Sequence, residues 1–426
     1  MIAPALRWAE SGLMALTGPE RGAPLVPAFD AMSGIDELMD ALRSSARALG
    51  TALELDESVL SGRAQLMGLR RGGVQSCNRS CRLLEVRDGW VALNLPRPAD
   101  IELLPAWLGV EVGTDHWRAV ERTVRRYDRA ALAAMADGLP LALAALPGPG
   151  EMATAASAPA LSHLPPQPAR AGRSLRPVVI DLSALWAGPL CAQLLQQAGA
   201  RVIKVESAKR LEPARQHWPA FFDQLNAGKE SLVLDFDSPS DRSRLRRLIE
   251  TADMVVSSAR PRALEQLDLD PAERFRDRPE LIWIAITAHG WYGAARERVG
   301  FGDDAGVAAG LVAVGEDGRP AFMGDALADP LTGLSAATVA LRAYLHGAAG
   351  LHDISLRGCA ERIARARRLA PAERGHVQRC GEDWSVRVDG LNRPVSPPRA
   401  LPDRPARAAP AGAHTQRILQ EIAQRS

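Results

Sequence analysis

The sequence predicts an α/β protein, with a Rossmann-like, doubly wound parallel sheet and a second, smaller α+β domain. From Arg176 onward, short apolar runs alternate with helical patterns, and this alternation is typical of the βαβ units that build parallel sheets. Two of the helices begin with a capping residue followed by proline, at Ser238-Pro239 and Asp270-Pro271. A Pro-, Ala- and Gly-rich stretch precedes this region and indicates a linker.

The individual elements follow from this alternation. Strands are predicted at Val178–Leu182 and at residues 202–205, 232–236, 254–256, 281–286 and 352–357. Helices are predicted to begin at Gly188, Pro239 and Pro271, a longer helix spans residues 329–346, and a last one spans Thr415–Gln424. Upstream, residues 81–95 are typical of two strands joined by an Asp-Gly turn.

These elements divide the chain into four predicted parts. Residues 1–150 form the smaller α+β domain, 151–174 the linker, 175–360 the Rossmann-like domain, and 361–426 a C-terminal tail that packs on the other parts. The composition fits folded domains, because 46% of the 426 residues are hydrophobic and 24% are charged.

Charge and composition exclude several classes of function. The net charge of +2 argues against a nucleic-acid-binding protein, which carries a strong basic excess or stripe. No long apolar run or leader pattern is found, so we expect a cytoplasmic protein without a membrane partner. Five cysteines do not make a disulfide framework, and Cys77 and Cys81 lack a second pair at zinc spacing. We therefore expect no metal site.

The distribution of lysine is the sharpest local feature. Of the 52 basic residues only Lys204, Lys209 and Lys229 are lysines, and all lie between residues 178 and 238. Ligands bind at the carboxyl ends of strands in open α/β sheets, and a helix N-terminus attracts anions. The pattern thus favours an anion site at this edge. The plain alternative is a solvated charged rim beside a tight turn.

Several motifs in this region resemble those of the family III CoA-transferases, the CaiB/BaiF group. This group includes formyl-CoA and carnitine CoA-transferases and related acyl-CoA racemases. The motifs are Asp181-Leu182-Ser183, Ala187-Gly188-Pro189, the VIKVE run at 202–206, Leu225-Asn226 with Lys229, and Arg260-Pro261. The resemblance implies that the sheet holds the adenosine diphosphate part of CoA. By the same resemblance its site is lined by Ala187, Gly188, Pro189, Lys204, Asn226, Lys229 and Arg260.

The resemblance also implies a catalytic aspartate, which in the family attacks the thioester and forms a mixed anhydride and then an aspartyl thioester. In the matching segment, residues 298–311, Gly302 stands in its place and Asp303 and Asp304 follow. A one-residue slip would bring Asp303 to the thioester, so Asp303 is the expected nucleophile and Asp304 the reserve. The alternative is that either aspartate merely caps the helix. Asp325 and Asp329 are expected to be caps or turn residues.

The N-terminal part resembles a displaced copy of other family segments. Residues 8–18 are similar to the segment that follows the catalytic aspartate, with Pro4 in the aspartate's place, and residues 87–93 are similar to a strand of the family's second domain. The chain thus resembles a rearranged or fused family member. Neither copy has the aspartate where the family has it.

The implied function is transfer of CoA between an acyl-CoA and a carboxylic acid, with no bound cofactor, by a homodimer or with a paralogous subunit. Two alternatives stay open. Gly302 and Pro4 favour a non-catalytic paralogue that binds CoA esters or supports a partner subunit. An acyl-CoA racemase would need a histidine beside its acid, and His289, in the turn after the strand at 281–286, is better explained as a loop residue.

Overall fold

A computed structural model describes residues 2–111, 113–148, 150–151, 174–402 and 407–424. Nearly all of the predicted linker therefore lies outside the described residues. The first part contains three helices and a short 3-10 turn, Met14–Leu16, followed by an antiparallel sheet with four small helices between its second and third strands. These elements are α1 (Pro4–Glu10), α2 (Ala31–Ala48), α3 (Ser58–Met67), β1 (Cys81–Val86), β2 (Gly89–Asn94), α4 (Pro98–Glu102), α5 (Leu104–Leu108), α6 (His116–Val124), α7 (Arg129–Met135) and β3 (Ala142–Ala145).

The second part alternates strands and helices, as the sequence predicts. Its elements are β4 (Val178–Leu182), α8 (Ala187–Gln197), β5 (Arg201–Ser207), α9 (Ala214–His217), α10 (Pro219–Asn226), β6 (Glu230–Leu234), α11 (Pro239–Glu250), β7 (Met254–Ser257), α12 (Pro261–Glu265), α13 (Pro271–Asp277), β8 (Ile282–Thr287), α14 (Gly302–Ala308), β9 (Val312–Val314), β10 (Pro320–Phe322), α15 (Ala328–His346), β11 (Gly350–Ser355) and α16 (Leu356–Ala364). Strand β6 begins two residues before its predicted start. Strand β11 ends at Ser355, because the hydroxyl of Ser355 accepts a hydrogen bond from Gly358 and caps α16.

The central sheet is parallel and its described strands lie in the order β11-β8-β7-β4-β5-β6. Numbered along the chain, this is the 3-2-1-4-5-6 order of a doubly wound sheet. The direction of winding reverses between β4 and β7, where Asp181 lies beside Lys204 on one side and Val256 on the other. The predicted fold class is confirmed, and ligands of such sheets bind outside the strand ends at this reversal.

Packing divides the first 150 residues differently from the predicted domain boundary. Leu6, Ile35 and Leu60 of the first three helices share one hydrophobic core with Leu190 and Leu334 of the Rossmann-like part. The sheet β1–β3 has a separate core with the helices beside it. Helices α1 to α3 thus belong to the core of the Rossmann-like part, where α2 and α3 pack on α15, although they precede the small sheet in sequence.

The C-terminal part contains a sheet that the sequence did not predict. After α17 (Pro371–Arg374), strands β12 (His376–Cys380), β13 (Asp383–Val388) and β14 (Leu391–Pro394) pair antiparallel, and Val386 is buried in the main core. The predicted short helix is present as α18 (Thr415–Gln424). The chain before it runs along the surface, where Ala408 donates a backbone hydrogen bond to Asp223.

Helix α15 is 19 residues long and almost fully buried between α2, α8 and the sheet. Its apolar composition reflects this protein environment. Among the described residues, no helix is both long enough and apolar enough to cross a membrane.

Close packing between β4 and α8 predicts a cost for adding one carbon at Gly188. A Cβ there would lie 2.2 Å from the Cβ of Ser183, so Gly188→Ala should lower the free energy of unfolding. Overpacking of this kind costs about 1–3 kcal/mol, which urea denaturation would measure. Gly306→Ala is the control, because its nearest neighbours lie 3.9 Å away. Equal stability of the two variants would contradict close packing of Gly188 against Ser183.

Candidate active site

The turn between β4 and α8, residues 183–189, forms one wall of the site and is held by three side chains. Lys204 Nζ donates to the carbonyl of Ser183 at 3.0 Å, and Lys229 Nζ donates to the carbonyl of Pro189 at 2.9 Å. Leu185, which has a strained φ of 73°, donates its backbone N–H to Glu212 Oε1 at 2.9 Å. Buried charges therefore fix the shape of this turn.

These charges are paired within the chain. Lys229 lies 2.8 Å from Asp181 Oδ2 and 3.0 Å from Asn226 Oδ1, which together with Pro189 satisfies its three donors. Lys204 lies 2.7 Å from Glu212 Oε2. Burial opposes ionisation of Asp181, but the nearby Lys229 and Lys204 outweigh it and the pKa of that carboxyl is lowered. Pairing is what makes these buried charges tolerable.

The residues predicted to line a CoA site are thus placed in three ways. Lys204, Asn226 and Lys229 are buried and bonded inside the chain, beneath the surface rather than along a solvated rim. Ala187, Gly188 and Pro189 are buried at the start of α8, against the end of β4. Arg260 lies elsewhere, on an open groove of about 740 Å³ with Arg262 and Arg298. Contact of these residues with CoA stays a prediction.

A small cavity of about 120 Å³ lies beside the turn, and we name it the carboxylate pocket. Its floor is formed by Gly302 and Asp303 of α14 and by Asp329 of α15. The walls come from the turn, α9 and α10, the β1–β2 region and α3; they comprise Leu185, Trp186, Ala214, Trp218, Phe221, Asn78, Ser80, Asn94, Pro96, Phe301, Ala326 and Arg63. The pocket thus brings together residues from both parts of the chain.

Carboxylates are crowded at this floor with a single nearby guanidinium. Asp303 accepts a hydrogen bond from Ala326 N at 3.2 Å, and burial together with the charge of Asp325 raises the pKa of Asp303 to about 8. Burial also raises the pKa of Asp329 to about 7, while Arg63 opposes the shift. Arg63 Nη1 lies 3.4 Å from Asp325 Oδ2. Like charges forced together in a cleft are a common mark of a functional site.

Asp304 has the capping contacts that the sequence left as an alternative. Its Oδ1 accepts hydrogen bonds from Phe301 N and Asn94 Nδ2, both at 3.0 Å. Burial raises the pKa of Asp304 to about 6, although both hydrogen bonds oppose the shift. These contacts cap α14 and tie it to β2, which suits a positioning role.

Sequence reasoning missed the role of Asp329 in this pocket. A Cβ on residue 302 would lie 2.2 Å from Asp329 Oδ2 and 2.6 Å from the carbonyl of Ala326. The carboxylate of Asp329 therefore occupies the space beside Gly302, where the family resemblance places its aspartate. The proximity arises from tertiary packing of α14 on α15, which a local sequence pattern does not reveal.

A larger, mainly apolar pocket adjoins the carboxylate pocket. It measures about 460 Å³ and shares Arg63, Trp186 and Phe221 with the smaller cavity. Leu53, Leu55, Val59, Leu190, Leu194, Leu225, Leu401 and Pro402 supply most of its apolar lining, and Arg43 and Arg47 also line it. We name it the apolar pocket. The shared wall residues place the two pockets side by side.

His289 lines a different cavity, of about 240 Å³, together with Arg298 and Arg357. Burial and the charges of these two arginines lower the pKa of His289 to about 4. A neutral imidazole outside the carboxylate pocket fits the sequence interpretation of a loop histidine.

Fold and site together define a Rossmann-like α/β protein with a carboxylate pocket next to the reversal of its sheet. Residues 177–351 match the sequence profile of CoA-transferase family III. The resemblance predicted from the motifs is thereby confirmed for this region of the chain.

Parts of the chain are similar to named proteins. Succinyl-CoA–D-citramalate CoA-transferase of Chloroflexus aurantiacus is 33% identical over 193 residues, which is 42% of this chain and 46% of the relative. Human α-methylacyl-CoA racemase is 35% identical over 117 residues, 27% of this chain and 28% of the relative. A CaiB/BaiF family protein of Brucella suis is 25% identical with a TM-score of 0.45, covering 50% of this chain and 65% of that structure. The chain thus spans about half the length of the first of these relatives.

The buried pairing of Lys229 predicts a large loss of stability in Lys229→Met. Removing one partner leaves Asp181 charged and buried, which costs about 3–5 kcal/mol. Lys209→Met is the matched control, because the Lys209 side chain is 62% exposed in its pair with Asp237, and such exposed pairs contribute about 0–1 kcal/mol. Urea denaturation would compare them. Equal losses would contradict a structural role for Lys229.

The raised pKa of Asp303 predicts a pH dependence of stability. Between its ordinary pKa of 3.8 and about 8, the folded state keeps a proton that the unfolded state has released, so stability falls as pH rises. Asp303→Asn should make the decline from pH 5 to pH 8 shallower, by up to about 1.4 kcal/mol per pH unit. Urea denaturation at a series of pH values measures this.

Asp237→Asn is the control for that series. A hydrogen bond from Lys209 lowers the pKa of Asp237, so its own contribution changes only at more acidic pH. An unchanged slope in Asp303→Asn would show that Asp303 is ionised at neutral pH in the folded protein.

Proposed function

We propose that the protein transfers CoA from an acyl-CoA donor to a carboxylic acid through a covalent intermediate on an aspartate of the carboxylate pocket. The family match of residues 177–351 supports CoA transfer in general. The observation that carries the proposal is the pair Asp303 and Asp329 on the floor of one cavity, beside Arg63. No resident cofactor is needed, because the carboxylate itself supplies the covalent step.

The environment of this floor suits a carboxylate nucleophile. A cavity that excludes most water leaves the anion poorly solvated and strengthens its interaction with a developing positive or polarised centre. The positive charge of Arg63 stabilises the ionised form of Asp329 and so opposes the rise of its pKa. A neighbouring carboxyl group with a raised pKa can remain protonated and donate a hydrogen bond to a leaving or attacking oxygen.

Gly302 supports the non-catalytic alternative, because the reactive aspartate of the family is replaced by glycine at this position. Catalysis is better supported because other carboxylates line the same cavity. The racemase alternative has a named relative in its favour, human α-methylacyl-CoA racemase. Against it, His289 lines a different cavity from Asp303. A homodimer remains a prediction of the resemblance, and a cytoplasmic location remains a prediction of the sequence pattern.

We further propose that the apolar pocket holds the acyl group of the donor. Its lining combines aliphatic and aromatic side chains with polar and charged ones, and it shares Trp186 and Phe221 with the carboxylate pocket. A chain bound there would place its thioester next to the aspartates. Pockets of this kind discriminate acyl groups mainly by size, at about 1–3 kcal/mol per methylene.

Val59→Trp should narrow this pocket and impair long acyl-CoA donors more than acetyl-CoA. Val59 lines the apolar pocket and lies outside the carboxylate pocket, so the chemistry itself should be preserved. Steady-state kinetics with donors of increasing chain length would show a rise in KM that grows with length. Val314→Trp, at a site that is 48% exposed, is the control. A uniform effect on all donors would contradict acyl binding there.

The function itself is tested by exchange of isotopically labelled carboxylic acid into acyl-CoA. We expect exchange without any added cofactor, and its loss when Asp303 and Asp329 are both replaced by asparagine. If acyl-CoA binds to the wild-type protein but a broad panel of acids gives no exchange, the transferase proposal is wrong and the non-catalytic alternative holds.

A further inference from the structure

We infer that Asp329 supplies the nucleophilic carboxylate that the chain lacks at Gly302. The inference rests on the proposed CoA transfer and names the residue on which its covalent intermediate forms. It replaces Asp303, the nucleophile predicted from the sequence.

The first observation is spatial. A Cβ at residue 302 would lie 2.2 Å from Asp329 Oδ2, closer than any non-bonded contact allows. A side chain at residue 302 and the observed carboxylate of Asp329 therefore compete for one volume. With glycine at 302 that volume belongs to Asp329, so a carboxylate remains at the pocket floor although it comes from a different helix.

The second observation is access. Asp303 is 5% exposed and one of its oxygens already accepts a hydrogen bond from Ala326. Asp329 is the more exposed residue of the two and lines the same cavity. Its carboxyl group is itself buried and accepts a hydrogen bond from Gly302, so the difference in access is one of degree. Asp303 is then left as the positioning neighbour.

The third observation is electrostatic. Asp329 lies in the first turn of α15, where the positive end of a 19-residue helix favours an anion. The backbone N–H of Gly302 also donates to it, and Arg63 stabilises its charged form. Asp325 and Asp304 oppose ionisation. Asp329 is thus ionised in part near neutral pH, as a desolvated nucleophile needs to be.

The chemical steps balance with the two substrates alone. An oxygen of Asp329 bonds to the thioester carbonyl carbon, the C–S bond breaks, and CoA leaves as the thiolate. The thiolate then attacks the Asp329 carboxyl carbon, which gives an aspartyl thioester and frees the donor acid. An acceptor carboxylate attacks the carbonyl carbon of that thioester, the C–S bond breaks, and a second mixed anhydride forms as the CoA thiolate leaves. The thiolate then attacks the acceptor's carbonyl carbon, which gives the new acyl-CoA and releases the Asp329 carboxylate.

The test maps the covalent intermediate in the wild-type protein. The protein is incubated with acetyl-CoA or a longer acyl-CoA, treated with hydroxylamine, digested, and searched by mass spectrometry for an aspartyl hydroxamate. We expect the modification on Asp329. Modification on Asp303 or Asp304 overturns the inference and leaves CoA transfer standing, whereas the absence of any hydroxamate and of labelled-acid exchange contradicts CoA transfer itself.

Matched variants provide an independent measurement. Asp329→Asn and Asp303→Asn each remove one carboxylate from the same floor with little change in volume. We expect Asp329→Asn to reduce exchange at least 100-fold and to abolish hydroxamate formation, and Asp329→Glu to keep a modified side chain. Asp303→Asn should reduce exchange less than 10-fold. The reverse order of effects in variants with wild-type circular dichroism would assign the nucleophile to Asp303.

Discussion

The site depends on pairing of the charges buried at the end of β4, within and after β5, and just before β6. An unpaired buried charge here would lower the free energy of unfolding by roughly 3–5 kcal/mol. The ion pairs of Lys229 with Asp181 and of Lys204 with Glu212 are therefore required for stability. The same ammonium groups bind the carbonyls of Ser183 and Pro189 and so hold the turn between β4 and α8 in one conformation. The side chains of the turn that line the carboxylate pocket, Leu185 and Trp186, are then the ones available for ligand contact.

The carboxylate pocket shows the opposite electrostatic arrangement. Asp303, Asp325 and Asp329 are crowded around Arg63. Burial raises the pKa of all three carboxyl groups, and the charge of Asp325 raises those of Asp303 and Asp329 further. Such crowding lowers stability at neutral pH and is typical of places where reactivity is selected over stability. The paired charges of the wall thus hold the turn in place, whereas the crowded carboxyl groups of the floor, with Arg63 beside Asp325, are available for chemistry.

The alternation of strands and helices after residue 175 was enough to predict the sheet, because that pattern is local and regular. Predictions from the sequence were less successful for residues whose interaction partners are distant in sequence. Lys204 and Lys229 were predicted to line a ligand site because they stand near strand ends. Their pairing with Glu212 and Asp181 depends on tertiary structure that brings these residues together. Asp329 was interpreted as a cap because only tertiary packing brings it beside Gly302.

The most direct test of the whole arrangement is a crystal structure with a non-reactive thioether analogue of an acyl-CoA. The thioether should lie in the carboxylate pocket between Trp186 and Asp329, with the acyl chain in the apolar pocket and the Lys229–Asp181 pair intact. The arrangement is contradicted if the CoA phosphates replace Asp181 as the partner of Lys229. It is equally contradicted if the ligand lies in the groove of Arg260, away from the aspartates.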